Sequence, residues 1–148
     1  MADRIHLTID CAVPERLVPF WCAALRYVPE PPPAGHDTWR SYYLSIGEPE
    51  EELGDGDACD RVVDPDGEGS PIWFQVVPEP KTTTNRVHLD VQVTDRSDSW
   101  EVRRAALAAR ADELVALGGV LRRPIPHDPA AHLFCAVDDP EGNELCLV

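Results

Sequence analysis

The chain has 148 residues, 43% of them hydrophobic and four of them Trp, enough for one ordinary buried core and too apolar for a disordered chain. A formal charge of −14 argues against nucleic acid or an anionic membrane as partner, because both are bound through basic faces. No segment approaches the ~18 apolar residues of a membrane span, and the start has no signal-peptide run. A cytoplasmic protein is expected, and five cysteines with no C-x-x-C pair read as reduced thiols.

The stretch Arg4 to Asp10 alternates, with Ile5, Leu7 and Ile9 on one face and His6, Thr8 and Asp10 on the other, as a half-buried strand does. Pro14 suits a first helical turn, so "PERLVPFWCAAL" is expected to be a helix, kinked or shortened at Pro19. "EPPPAG" reads as a rigid connector, and "TWRSYYLSI", rich in aromatics, as a strand. From Gly47 to Ser70, ten of 24 residues are acidic. The spacing does not fit an EF-hand, and a solvated, mobile loop or hairpin is expected. "PIWFQVV" follows as a strand.

The second half repeats this order. "RVHLDVQV" alternates with Val87, Leu89 and Val91 against His88, Asp90 and Gln92. A helix is predicted from near Asp98, spaced to Glu101 as in a capping box, to the stop at Gly118-Gly119. "VLRRPI", "HLFCAVDD" and "ELCLV" read as strands. "VVDPDGEGSPIWFQVV" echoes "AVDDPEGNELCLV", and aligning the last strands sets Phe74 on Leu145, Gln75 on Cys146 and Val76 on Leu147. Each half is then a strand, a helix and about three strands, the mark of a duplicated domain.

Strand parity places His6, Thr8, Asp10, Trp73, Gln75, His88, Asp90, Gln92, Glu144 and Cys146 opposite the apolar faces. If the halves share one curved sheet, these residues line a polar cup fit for a small molecule. Candidate ligand-binding residues are therefore His6, Thr8, Trp73, Gln75, His88, Asp90, Glu144 and Cys146. His127 reads as a loop residue and His132 as a rim contact.

The stretches "RIHLTIDCAVPERLVPFW", "FQVVPEPKTTTNRVHLDVQVTD" and "DDPEGNELCLV" resemble the vicinal oxygen chelate superfamily of glyoxalases, bleomycin-resistance proteins and extradiol dioxygenases. The resemblance implies an α+β fold: one domain over 1–148 built of two tandem βαβββ modules, about 1–80 and about 84–148. Their mixed sheets would form a curved cup with the helices on its outer face. It also implies a divalent metal (Zn, Ni, Mn or Fe) held by His6, Gln75, His88 and Cys146. Cys146 departs from the family pattern, in which a Glu is the ligand; here the Glu falls two residues early, at Glu144, ~7 Å along a strand.

Three functions follow. One is a metal-dependent lyase or dioxygenase. The second is a metal-free protein that binds or sequesters a small, antibiotic-like molecule, with the acidic surface favouring a cationic ligand. The third is a metal-free enzyme using a carboxylate or histidine base, with no residue singled out. A monomer or homodimer is expected, and the small molecule is the only partner implied.

Overall fold

A computed structural model describes Asp3 and residues 5–148. Met1, Ala2 and Arg4, the last in the first predicted strand, lie outside the described residues. The chain divides into two compact units, Met1–Cys22 with Arg26–Pro80, and Ala23–Leu25 with Lys81–Val148.

The first unit runs β1 (Leu7–Cys11), α1 (Pro14–Leu25, its last three residues counted with the second unit), β2 (Val28–Pro29), α2 (Trp39–Ser45), a 3-10 turn (Glu50–Glu52), β3 (Arg61–Val63) and β4 (Ile72–Val76). Its sheet has the order β1-β4-β3-β2, with β1 parallel to β4 and the other pairs antiparallel. The second unit runs β5 (Asp90–Val91), α3 (Trp100–Ala116), β6 (Val120–Arg123), β7 (Cys135–Asp138) and β8 (Glu144–Leu147), in the order β5-β8-β7-β6 with the same directions. Both are mixed four-stranded sheets of an α+β fold, and the repeated strand is written twice because the topology is.

The pairing corrects the alignment of the two last strands. Val62 pairs with Ile72 as Val137 pairs with Leu145, and Arg61 pairs with Trp73 as Ala136 pairs with Cys146. On the other edge of each last strand, Thr8 stands opposite Trp73 and Asp90 opposite Cys146. Cys146 is thus the counterpart of Trp73, two residues from the predicted match to Gln75. The cause lies in the turns: Asp64-Pro65-Asp66-Gly67 matches Asp139-Pro140-Glu141-Gly142, but the first turn has two more residues before its strand. Residue parity survives such a shift, and position along the strand does not.

"TWRSYYLSI" forms α2 rather than a strand. Thr38 Oγ1 accepts from the Ser41 N–H at 3.0 Å and Ser41 Oγ accepts from the Thr38 N–H at 3.4 Å, a reciprocal cap that starts a helix. Asp57 adds a second cap, its Oδ1 accepting the Trp39 N–H at 2.9 Å. Trp39, Tyr42 and Tyr43 then fall on one helical face. The acidic stretch 47–70 is likewise no single loop, since it holds the 3-10 turn and β3. α1 runs on through Pro19, which lies exposed. α3 starts one residue after the predicted position, capped by Ser99 Oγ on the Val102 N–H, and buries Leu107, Ala111 and Leu114 at helical spacing.

Alternation on β4 works as the sequence requires: Ile72 and Phe74 are buried while Trp73 is 40% exposed. Leu17, Phe20, Trp21 and Val62 are buried in the same unit, and Val137, Leu145 and Leu147 in the other. Among the described residues no helix is long and apolar enough to cross a membrane. All five cysteines are free thiols.

Candidate binding cleft

A cleft of about 640 Å³ opens in the first unit, within the ~300–1,000 Å³ usual for small-molecule sites. One wall is β4, through Trp73 and Gln75. A second is the entry to α1, through Val13, Pro14 and Glu15, and the third is Tyr43 of α2 with the acidic strap 48–61. The strap is built, not loose. Arg40 Nη1 donates to the Gly54 carbonyl at 2.8 Å, its Nη2 meets Glu50 Oε1 at 3.1 Å, and its backbone N–H donates to the Asp57 carbonyl at 2.7 Å.

Asp60 ties the walls together. Its Oδ2 accepts from the Trp73 indole Nε1 and from the Tyr43 hydroxyl, both at 2.9 Å, and its Oδ1 accepts from Arg61 Nε at 2.8 Å. The Tyr43 oxygen in turn accepts from Arg61 Nη2 at 3.2 Å. Burial and the neighbouring Asp60 carboxylate push the Tyr43 phenol up to about 12, so it stays a donor at neutral pH. Arg61 also lies over Trp39 at 4.5 Å and within 3.5 Å of Glu30. It is therefore turned to fixed partners rather than left as a receptor for an anion.

The charge of the cleft follows. Four carboxylates, Glu15, Glu48, Glu52 and Asp60, face one guanidinium, Arg61, for a formal −3. Glu15 sits in the first turn of α1, where a helix favours negative charge. Its carboxylate reaches the strap at Gly54, where a Cβ would come within 2.7 Å of Oε1 and where φ is +63°. The Glu15 carboxylate can swing aside, but the left-handed backbone itself favours glycine.

In the second unit a smaller cavity of about 190 Å³ is lined by His88, Glu144 and Cys146 together with Asn85, Leu89 and Arg122. Glu144 is held in place by Lys81 Nζ at 2.9 Å and by the Asn85 N–H at 3.0 Å. Burial opposes its ionisation, but these two partners prevail and hold the carboxyl below the usual glutamate range. Arg122 grips Asp138 through Nε and Nη2. Burial, then the adjacent Asp90 carboxylate, pushes the Cys146 thiol up and keeps it protonated.

The predicted site residues thus fall in two groups. Trp73 and Gln75 line the cleft of the first unit; Thr8 is exposed and level with Trp73, and His6 is exposed ahead of β1. His88, Glu144 and Cys146 share the cavity of the second unit, with Asp90 opposite Cys146. His127 meets Arg104 at 3.1 Å, and His132 lies 5.4 Å from the ring of Phe134. Sequence reading missed Tyr43, Asp60, Arg61, Glu15, Glu48 and Glu52. The spacing of Trp39, Tyr42 and Tyr43, and a single Arg inside the acidic run, were the signals available.

The metal set implied by the resemblance is divided between the units, His6 and Gln75 in the first and His88 and Cys146 in the second. Within either unit, among the described residues, no three His, Cys, Asp or Glu side chains gather closely enough to hold an ion. In the second unit the Glu144 carboxylate answers Lys81, and Asp90 stands opposite Cys146.

The glyoxalase-like domain family profile matches residues 6–148. No curated protein matches the chain. Among solved structures, a glyoxalase/bleomycin resistance protein/dioxygenase family enzyme from Burkholderia phytofirmans PsJN is similar at 14% identity and TM-score 0.59, covering 99% of this chain and 97% of that one. A hypothetical protein, SA1046, from S. aureus is similar at 9% identity and TM-score 0.58, over 99% and 96%. A glyoxalase/bleomycin resistance protein from Albidiferax ferrireducens T118 is similar at 15% identity and TM-score 0.55, over 96% and 93%. At these identities the likeness is one of fold.

Proposed function

The chain belongs to the glyoxalase-like domain family, within the vicinal oxygen chelate superfamily, and from that premise we propose that it binds a small organic cation in the acidic cleft of its first unit. The observation that carries this reading is the composition of that cleft: the carboxylates Glu15, Glu48 and Glu52 beside a mutually paired Asp60 and Arg61, next to Trp73, which is 40% exposed. A cation with an apolar body meets both features, since the ring face attracts positive charge and the carboxylates favour it further. An anion meets neither, because Arg61 is already turned to Asp60, Glu30, Tyr43 and Trp39.

The reading is that of a binding or sequestering protein. The alternative reading, a metal-dependent lyase or dioxygenase, would draw on His6, Gln75, His88 and Cys146, which belong to different units. Titration calorimetry of a panel of aromatic amines, quaternary ammonium ions and their neutral counterparts tests the proposal. Binding confined to the cations, with loss in Trp73→Ala, supports it; binding of neutral or anionic compounds alone overturns it.

A further inference from the structure

We infer that Asp60 is the positioning residue of this cleft: it acts through Trp73, fixing the indole as the platform on which the cation rests. The inference rests on the cleft reading proposed above. Trp73 stands on β4 and is 40% exposed, so burial alone does not fix the angle of its ring. One polar contact does so, the bond from Nε1 to Asp60 Oδ2 at 2.9 Å. The same oxygen takes the Tyr43 hydroxyl at 2.9 Å, which ties the ring's orientation to α2. Asp60 itself is fixed, because its backbone carbonyl accepts the Phe74 N–H at 2.7 Å and its Oδ1 holds Arg61. With Arg61 at 2.8 Å, the charge of Asp60 is largely answered within the protein. Its contribution to the ligand is therefore geometric, while Glu15, Glu48 and Glu52 supply the field.

That division makes the two obvious variants behave differently. Asp60→Ala removes the acceptor for both donors. Asp60→Asn removes the charge but keeps an oxygen that accepts from Tyr43 and Trp73. The readouts are the ¹⁵N–¹H resonance of the Trp73 indole, identified by its disappearance in Trp73→Phe, and the affinity for N,N,N-trimethylanilinium. In Asp60→Ala the indole proton is expected to exchange with water about tenfold faster as its bond is lost. Affinity is expected to fall about tenfold, or about 1.4 kcal/mol, with the loss of a fixed ring face. In Asp60→Asn the exchange stays slow and affinity holds within about threefold.

An Asp60→Ala protein with unchanged indole exchange and affinity would overturn the inference. So would Asp60→Asn falling as far as Asp60→Ala, since charge rather than position would then be what Asp60 provides. Should Asp60→Ala not fold, Asp60→Asn decides alone, with retained affinity in support and a tenfold loss against. If the wild-type protein fails to bind any organic cation, the cleft reading falls, while the indole exchange still reports whether Asp60 fixes the ring.

Discussion

The guanidinium of Arg61 lies over the ring of Trp39, 4.5 Å from its centre, and so fastens β3 to α2. The two residues come from stretches that the sequence presents as a strand and a loop, yet this contact and the Asp60 bonds beside it make the strap a wall of the cleft. Removing the guanidinium should cost both the ring contact and the bonds to Asp60 and Tyr43. Arg61→Ala is expected to lower stability by about 2 kcal/mol in urea denaturation. Arg61→Lys should recover less than half, since an ammonium cannot stack flat and serve several acceptors at once.

Neighbouring residues on β4 should respond in opposite ways. Phe74 is buried, and Phe74→Ala is expected to destabilise the protein by about 3–5 kcal/mol. Trp73, being 40% exposed, should cost about 1 kcal/mol or less as Trp73→Ala, mainly through its bond to Asp60. Cation binding is expected to disappear in that variant. Denaturation curves of the two proteins, with calorimetric binding to the second, check the contrast.

Gly54→Ala places a Cβ within 2.7 Å of the Glu15 carboxylate at a φ of +63°. A cost of about 1–2 kcal/mol is expected for the left-handed conformation alone. Glu15→Ala in the same chain should recover only the part due to the carboxylate. Thermal or urea unfolding of the single and double variants separates the two terms, and full recovery would show that the backbone conformation is unstrained.

Tyr43 gives the strap a pH limit on the alkaline side. Its folded value is raised, first by burial and then by Asp60, to about 12 from an ordinary value of 10.0. The neutral phenol is therefore the form that folding favours. Its contribution is complete below pH 10 and is lost as pH rises from about 10 through about 12. A tyrosinate absorbance titration should show a step near 12 that is missing in Tyr43→Phe, and stability in that variant should fall less over the same window.

Much of the fold was legible from pattern alone. Strict alternation on β1 and β4, Pro14 at a helix start, and glycines at 118 and 119 ending α3 each reflect a local physical rule, and local rules survive without tertiary knowledge. The duplication was legible for the same reason, since "RIHLTI" and "RVHLDV" repeat one pattern. What pattern could not decide was register. Two extra residues before β4 moved the match of Cys146 from Gln75 to Trp73 without changing which face any residue occupies. The helix α2 was hidden because aromatic side chains suit strands and helices alike, and one of its two caps comes from Asp57, 18 residues further on. Asp60 and Arg61 read as two charges in an acidic run; only folding brings them to Trp73 and Trp39.

The most direct test of the account compares N,N,N-trimethylanilinium with its neutral isostere tert-butylbenzene in the wild-type protein and in a Glu15→Gln, Glu48→Gln, Glu52→Gln variant. The cleft carboxylates are predicted to give the cation about a tenfold advantage over the isostere, shrinking as salt is added. That advantage should largely vanish in the triple variant, with the fold retained. Equal affinity for cation and isostere in the wild-type protein, or a preference that survives loss of the three carboxylates, would contradict the claim that this cleft selects an organic cation.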